Sequence, residues 1–176
     1  MIVRRTLISW LAAILLGGIT SPDLRAAAAA DDPLAVINAI YVRVTKGKGD
    51  GGGGFVIDPP SARPRYLSRS LVDLWARADA RTQKGDEGPV GFDPTTNSQD
   101  PDVTSFKAVA ETREADRAVI AVTLAGRRAP RPVPADRVVR YDFVRQAGQW
   151  KIDDIRGAVD GKKWSLRAIL QDSFKY

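Results

Sequence analysis

The stretch from Phe92 to Asp102 carries the densest group of side chains in this sequence that could bind a ligand. It reads FDPTTNSQDPD, and Asp93 and Asp100 are among its carboxylates. Carboxylate and amide oxygens suit calcium, but the spacing lacks the sixth-position glycine and the closing glutamate of an EF-hand loop. Short polar side chains also bond to their own backbone in turns. We therefore predict an ordered loop with a structural role and no metal site, with partner binding as the second interpretation.

The residue types that the sequence lacks exclude several classes of enzyme. Among the 176 residues there is no cysteine, which excludes disulfides, thiolate catalysis and cysteine-bound metals. There is no histidine either, which excludes histidine triads and most zinc enzymes. The formal charge of +6 is modest and scattered, so it does not indicate nucleic-acid binding. We expect no cofactor.

Asp154 is the one acidic residue that the strand pattern places on a core face. Trp150 and Ile152 alternate with charged residues, and Asp154 continues their alternation. A carboxylate buried beside a tyrosine would have a raised pKa and could act as a general base. The alternative is a bulge after Asp153, which would turn Ile155 inward and Asp154 toward solvent. We favour the bulge, and catalysis is therefore the least favoured function.

Two irregular stretches have both a functional and a structural interpretation. Gly47–Gly54 reads GKGDGGGG, but a phosphate-binding loop needs Ser or Thr after Gly-Lys, with a strand before it and a helix after it. We predict a flexible connector there. Gly126–Ala135 reads GRRAPRPVPA, in which Arg127, Arg128 and Arg131 could contact an acidic partner. A solvated surface loop is the favoured interpretation of this second stretch.

Residues 1–30 have the three regions of a secretory signal peptide. Two arginines form a charged start, and an apolar run from Leu7 to Ile19 is too short to span a membrane as a helix. Small residues then offer cleavage sites. The arginine pair also permits twin-arginine export, although the residues around it match that signal weakly. We predict a periplasmic protein with no membrane span after cleavage and a single domain in residues 31–176.

Hydrophobic spacing predicts two helices before the strands. An aspartate followed by Pro33 is typical of a helix start, and apolar residues continue at helical spacing as far as Lys46. Pro64–Ala80 has the same spacing and is predicted as the second helix. Tyr66 and Trp75 belong to this second helix, where packing against the sheet is favoured over lining a pocket.

Alternating apolar residues predict three or four antiparallel strands after the polar loop. They are Thr104–Thr112, Arg117–Leu124 and a hairpin from Arg137 to Ile155 with its turn at Gln146–Gln149. A short helix that contains Leu166, Ile169 and Leu170 follows the hairpin. Separate runs of helices and strands indicate an α+β fold, in which the two N-terminal helices cover one face of the meander.

Three short motifs in a fixed order carry a resemblance to known proteins. They are Tyr66-Leu67-Ser68, Phe92-Asp93-Pro94 with Gln99-Asp100, and the stretch from Trp150 to Ile155. In these motifs the chain resembles an uncharacterised family of bacterial envelope proteins, a domain of unknown function with the nuclear transport factor 2-like, or cystatin-like, fold. The resemblance covers most of the chain after the leader. It implies a cone-like α+β fold and an envelope location, and it implies no activity.

Three functions are compatible with these features. A non-catalytic module would hold a small ligand or an envelope protein at the mouth of the cone. Its predicted rim residues are Tyr66, Trp75, Asp93, Gln99 and Asp100. The alternative is an inhibitor or immunity-type protein that acts on an envelope enzyme or toxin, which a filled cone with one ordered loop would favour. An enzyme with its site in the cone is the third function.

Overall fold

One antiparallel sheet of five strands forms the centre of the computed structural model, which describes residues 32–46, 52–83, 85–86 and 88–175. The strands are β1 (Val103–Arg113), β2 (Arg117–Gly126), β3 (Val138–Gln146), β4 (Gln149–Val159) and β5 (Lys162–Ser165). They lie side by side in chain order, so the sheet is a simple meander. The predicted α+β class is confirmed. The prediction of three or four strands is wrong, because β5 reads KKWS and lacks an alternating pattern.

The predicted hairpin is formed by β3 and β4. Val139, Tyr141 and Phe143 all point into the core, as their alternation requires. The turn lies at Ala147 and Gly148, which have φ values of +50° and +78°. Two successive residues with positive φ match the right-handed twist of the strands, and this explains the glycine.

Among the described residues of the first half of the chain, three α-helices precede or flank the sheet. They are α1 (Pro33–Lys46), α2 (Arg63–Tyr66) and α3 (Arg69–Asp79). Helix α1 begins where Asp32 Oδ1 accepts a bond from the backbone N–H of Leu34 at 3.1 Å. It packs mainly against β1 and β2. Its apolar face buries Ile37, Ile40, Tyr41 and Val44.

The second predicted helix, Pro64–Ala80, is interrupted. Leu67 leaves the helical path and forms a parallel bridge with Ile152 on β4, and the N–H of Ser68 donates to the carbonyl of Ile152 at 2.8 Å. Ser68 then starts α3, because its side-chain oxygen accepts a bond from the N–H of Leu71. A single helix was therefore the wrong prediction, although the predicted apolar stripe of Leu67, Leu71, Leu74 and Ala78 is buried.

The closing helix is α4 (Leu166–Asp172), and it agrees with the prediction. Ser165 caps it by accepting a bond from the N–H of Ala168 at 3.2 Å. Leu166 and Leu170 are completely buried, and α4 packs against α3. This contact covers the end of the sheet that α1 does not reach.

The space between the helices and the sheet is filled by side chains. Tyr41, Tyr141, Phe143 and Leu71 are all inaccessible to solvent there. No buried side-chain nitrogen or oxygen in the described part of the chain lacks a hydrogen-bond partner. Within the described residues, the space between the helices and the sheet is therefore a packed core.

No helix in the described ranges is long and apolar enough to cross a membrane. The predicted leader, residues 1–30, lies outside those ranges, as does most of the glycine-rich stretch.

Candidate functional site

The predicted polar loop is held together by Asp93. Its carboxylate accepts bonds from the N–H of Thr95 at 2.8 Å, from the Thr95 hydroxyl at 2.7 Å and from the N–H of Gly53 at 2.6 Å. The first bond is an Asx turn, and the third connects the loop to the end of the glycine-rich stretch. Gly53 is buried. This end of the predicted flexible connector is thus fixed against the loop.

Asn97 connects the same loop to the sheet. Its amide N–H₂ donates to the carbonyls of Asp136 at 3.0 Å and Ala158 at 2.7 Å, while its oxygen accepts a bond from Trp164 Nε1 at 2.9 Å. Its φ is +53°, a value that asparagine tolerates better than most residues. Three hydrogen bonds from one buried side chain thus connect the loop to three other segments of the chain.

A pair of buried tyrosines reaches the loop from the core. The hydroxyl of Tyr41 donates to the carbonyl of Thr95 at 2.5 Å and lies 2.8 Å from the hydroxyl of Tyr141. Burial raises the pKa of both phenols well above the ordinary value. The pair is therefore neutral, and it stabilises the contact between α1, β3 and the loop.

The other carboxylates of the loop also have protein partners. Asp100 forms an ion pair with Arg128, and Asp102 accepts a bond from the N–H of Arg128 at 3.0 Å. In the described part of the chain no group of three or more acidic side chains is arranged to hold a metal ion. The structural interpretation of the loop thus accounts for the bonds of Asp93, Asp100 and Asp102.

The arginine-rich connection between β2 and β3 is not simply solvated. Arg131 donates to the carbonyl of Asp136 at 3.2 Å and to the carbonyl of Asn97 at 2.5 Å, and it is only partly exposed. Arg128 is exposed but bonded to Asp100. Of the three arginines in question, Arg127 alone is fully on the surface without a bond within the described residues.

The five predicted rim residues do not come together. Trp75 is only 3% exposed and packs under the guanidinium of Arg63, 4.3 Å from the ring centroid. Asp93 is inside the loop network. Gln99 and Asp100 are exposed at the end of the sheet, and Gln99 donates to the carbonyl of Gly91. Tyr66 alone lines an open groove on the helix side.

A cleft of about 530 Å³ lies where the loop meets the β4–β5 turn, and we call it the loop-end cleft. Trp164 and Phe92 form its aromatic wall, with ring centroids 5.0 Å apart and nearly perpendicular planes. The indole of Trp164 lies against Gly157, where an added Cβ would come within 2.6 Å of the ring. Glycine at 157 therefore makes room for the tryptophan. Gln99 is at the edge of this cleft.

A second groove, of about 670 Å³, runs along α1, and we call it the basic groove. One wall is the helix, with Ala35, Val36, Ala39, Ile40 and Arg43. The other wall contains Phe55, Arg65, Tyr66, Gln149, Trp150 and Lys151. No carboxylate lines the groove among the residues that the structure describes.

Two guanidinium groups and two aromatic rings form a row of contacts in the lining of the basic groove. The guanidinium of Arg43 lies 3.8 Å from the centroid of Phe55, and that of Arg65 lies 5.5 Å from the centroid of Tyr66. The two rings meet edge to face at 6.1 Å. Guanidinium groups stacked on rings keep their N–H edges available for carboxylates.

Lys151 provides the third cation of the basic groove. Its ammonium donates to the carbonyls of Pro64 at 3.1 Å and Arg65 at 2.9 Å. Desolvation lowers its pKa from the ordinary lysine value. Within the described ranges, Lys151, Arg43 and Arg65 form no ion pair. The groove therefore has a positive charge that the described carboxylates do not neutralise.

In the described part of the chain, the hydrogen bonds of Asp154 include none to a tyrosine, although the general-base hypothesis would require one. The β3–β4 register shifts past Asp153, so the expected bulge is present and Ile155 is in the core. The second half of that prediction is wrong, because Asp154 is only 8% exposed. It accepts bonds from the Ser165 hydroxyl and from the N–H groups of Arg167 and Ile155. Its role in the fold is to anchor the start of α4.

In comparisons with known proteins, no family profile, curated sequence or solved structure is significantly similar to this chain. The candidate site therefore has to be judged on its geometry. Sequence reasoning missed the basic groove except for Tyr66. The three cations of the groove come from separate segments of the chain. What distinguishes them from ordinary surface residues appears only in the structure: they lie beside a pair of aromatic rings, and no carboxylate lines the groove with them among the described residues.

Proposed function

We propose that this chain is an exported, non-catalytic binding module of the bacterial cell envelope, which engages its partner on the surface rather than inside the cone. The observation that carries the proposal is the filled interior. Tyr41 and Tyr141 bond to each other between the helices and the sheet, and both are completely buried. A small-molecule site of ordinary size needs a preformed cavity. The open grooves on the outside are the remaining places for a partner.

Two further observations support a binding role over catalysis. The polar loop is rigidly bonded to core and sheet, so the surface beside it is preorganised, and preorganisation lowers the entropic cost of association. The basic groove combines tyrosine, tryptophan and arginine, which are the side chains most enriched at binding hot spots. A packed cone with an ordered loop also suits the inhibitor or immunity-type function, which stays the second candidate.

Export is tested on the protein itself. Full-length protein expressed in a bacterium is recovered from the periplasm and its N-terminus is sequenced. We expect it to begin between Ala29 and Asp31. An intact Met1 on a membrane-bound product would contradict the export part of the proposal.

Surface binding is tested by site-directed photo-crosslinking in intact cells. The crosslinker p-benzoylphenylalanine is placed at Ala39 in the basic groove, at Gln99 on the loop-end cleft, or at Glu114 in the exposed β1–β2 turn as the control position. We expect one discrete adduct from Ala39 or Gln99 and none from Glu114. Absence of adducts at all three positions would reject the proposal. Loss of a captured enzyme's activity on adding the purified module would favour the inhibitor.

A further inference from the structure

The lining of the basic groove falls into two chemically different parts. Arg43, Phe55, Tyr66, Arg65 and Lys151 form a continuous chain of contacts, and this part carries the cations. The helix positions before Arg43 carry only aliphatic side chains. An occupant must therefore present both negative and apolar groups.

The cations do not converge on a single point. Arg43 and Arg65 stack on different rings, and the two rings stand between them. Neither guanidinium donates a hydrogen bond to another described residue. A single phosphate group is bound best by donors that converge on one point. Guanidinium groups that lie apart can instead bind several carboxylates spaced along a chain.

The length of the groove sets the length of the occupant. From Ala35 to Arg43 the helix advances by eight residues, which is about 12 Å. An extended peptide covers that distance in about four residues. In such a segment alternate side chains point to opposite sides, so acidic residues can face the cations while apolar residues face the aliphatic part of the lining.

We infer that the basic groove binds an extended acidic segment of a partner protein, with two or three carboxylates interspersed with apolar residues. This rests on the proposed binding function and adds the place and the chemistry of the partner. The carboxylates bind the edges of Arg43 and Arg65 and the ammonium of Lys151. The apolar side chains pack on Ala35, Ala39 and Trp150.

The test starts from a phage-displayed library of random heptapeptides selected on the purified, folded protein. The most enriched peptide is synthesised and its binding is measured by calorimetry at low and high salt. We expect enriched peptides to carry at least two Asp or Glu residues among apolar ones. We expect their affinity to fall as salt rises, because the contacts are ionic.

Matched variants place the peptide in the groove. Arg43→Gln and Arg65→Gln each remove one exposed cation, and each is expected to weaken binding about tenfold. Ala39→Trp fills the groove and is expected to abolish binding, while Asn38→Trp on the neighbouring exposed position is expected to leave it unchanged. Lys107→Gln, on β1, is the charge control. Circular dichroism checks that every variant is folded.

Three results of the peptide experiments would overturn the inference. They are failure to enrich any peptide, enrichment of peptides without acidic residues, and binding that is insensitive to Arg43→Gln, Arg65→Gln and Ala39→Trp. Binding of phosphatidylglycerol vesicles in place of acidic peptides would assign the groove to a lipid surface and would also overturn it. The proposed binding function is judged separately, because a crosslink from Gln99 would survive each of these results.

Discussion

Gly53 lies so close to Thr95 that a Cβ atom built on the glycine would be 1.8 Å from the threonine hydroxyl oxygen. The backbone of Gly53 is held there by the bond from its N–H to Asp93. The glycine is therefore required by close approach to the loop, although its sequence context is that of a linker.

Gly53→Ala is expected to lower the free energy of unfolding by about 1–3 kcal/mol, because the added methyl group overpacks the contact with Thr95. Gly54→Ala is the matched control, since nothing lies within 4 Å of its added Cβ. It is expected to change stability by less than about 0.5 kcal/mol. Urea denaturation of both variants makes the comparison. Equal stabilities would show that the glycine run does not pack on the loop.

Asp93→Ala is expected to cost about 0.5–2 kcal/mol, the range for losing a cap-like bond. The variant loses the acceptor for Thr95 and for Gly53. Asp100→Ala loses only an exposed ion pair and is expected to cost less than about 1 kcal/mol. Thermal unfolding with and without calcium completes the test. A calcium-dependent rise in melting temperature that both variants abolish would contradict the structural role of the loop.

The two buried tyrosines are expected to differ in their response to the loss of a hydroxyl. Tyr41→Phe removes the donor to the Thr95 carbonyl and leaves the Tyr141 hydroxyl without its partner. Tyr141→Phe removes only the bond between the two hydroxyls. We expect Tyr141→Phe to lower the free energy of unfolding by about 1 kcal/mol and Tyr41→Phe to lower it clearly more. The reason is that a buried polar group left without a partner costs more than the loss of one hydrogen bond. Urea denaturation decides, and the reverse order would contradict the assignment of Tyr41 as the donor.

Adjacent acids on β4 are expected to affect stability with opposite signs as pH changes. Burial raises the pKa of Asp154 above the ordinary value, although the bonds from Ser165 and two N–H groups partly offset it. Burial alone would also raise the pKa of Asp153, but its bond from Ser68 and the charge and bond of Arg167 lower it below the ordinary value. The contribution of Asp154 to the free energy of unfolding therefore decreases as pH rises above the ordinary aspartate pKa. The stabilising contribution of Asp153 is lost as pH falls below the ordinary aspartate pKa.

Stability curves from pH 3 to pH 7 test this prediction on Asp153→Asn and Asp154→Asn. Relative to the wild type, Asp154→Asn is expected to gain stability as pH rises, because the wild type then carries a buried charge. Asp153→Asn is expected to lose stability relative to the wild type as pH rises over the same range. Slopes of the same sign would show that one of the two environments is misassigned.

Local sequence pattern was sufficient for α1, the first four strands and the closing helix, but not for β5 or for the break in the second predicted helix. The hairpin of β3 and β4 was predicted from alternating apolar and polar residues, the pattern of strands that bury one face. The break at Leu67 was missed, because this residue fits the helical spacing and leaves it only to pair with β4. Ser68 was the available signal, since serine is a frequent helix cap.

The candidate site was predicted only in fragments. The local hydrogen bonds that were expected in the loop from Phe92 to Asp102 are present, because its short polar side chains can bond to neighbouring backbone groups. The basic groove was out of reach, because Arg43, Arg65 and Lys151 are brought together only by the docking of α1 beside the hairpin turn. Nothing in their separate sequence contexts distinguishes them from solvated cations.

The meander order of the sheet has a consequence for folding kinetics. Each strand pairs with its neighbour in the chain, so the sheet contacts close short loops and are reached quickly. The bond between Tyr41 and Tyr141 joins residues 100 positions apart, and that between Gly53 and Asp93 spans 40. Docking of α1 is therefore expected to come after the hairpins. Substitutions on its inner face should then act mainly on the rate of unfolding, while those in the β3–β4 hairpin should slow folding itself.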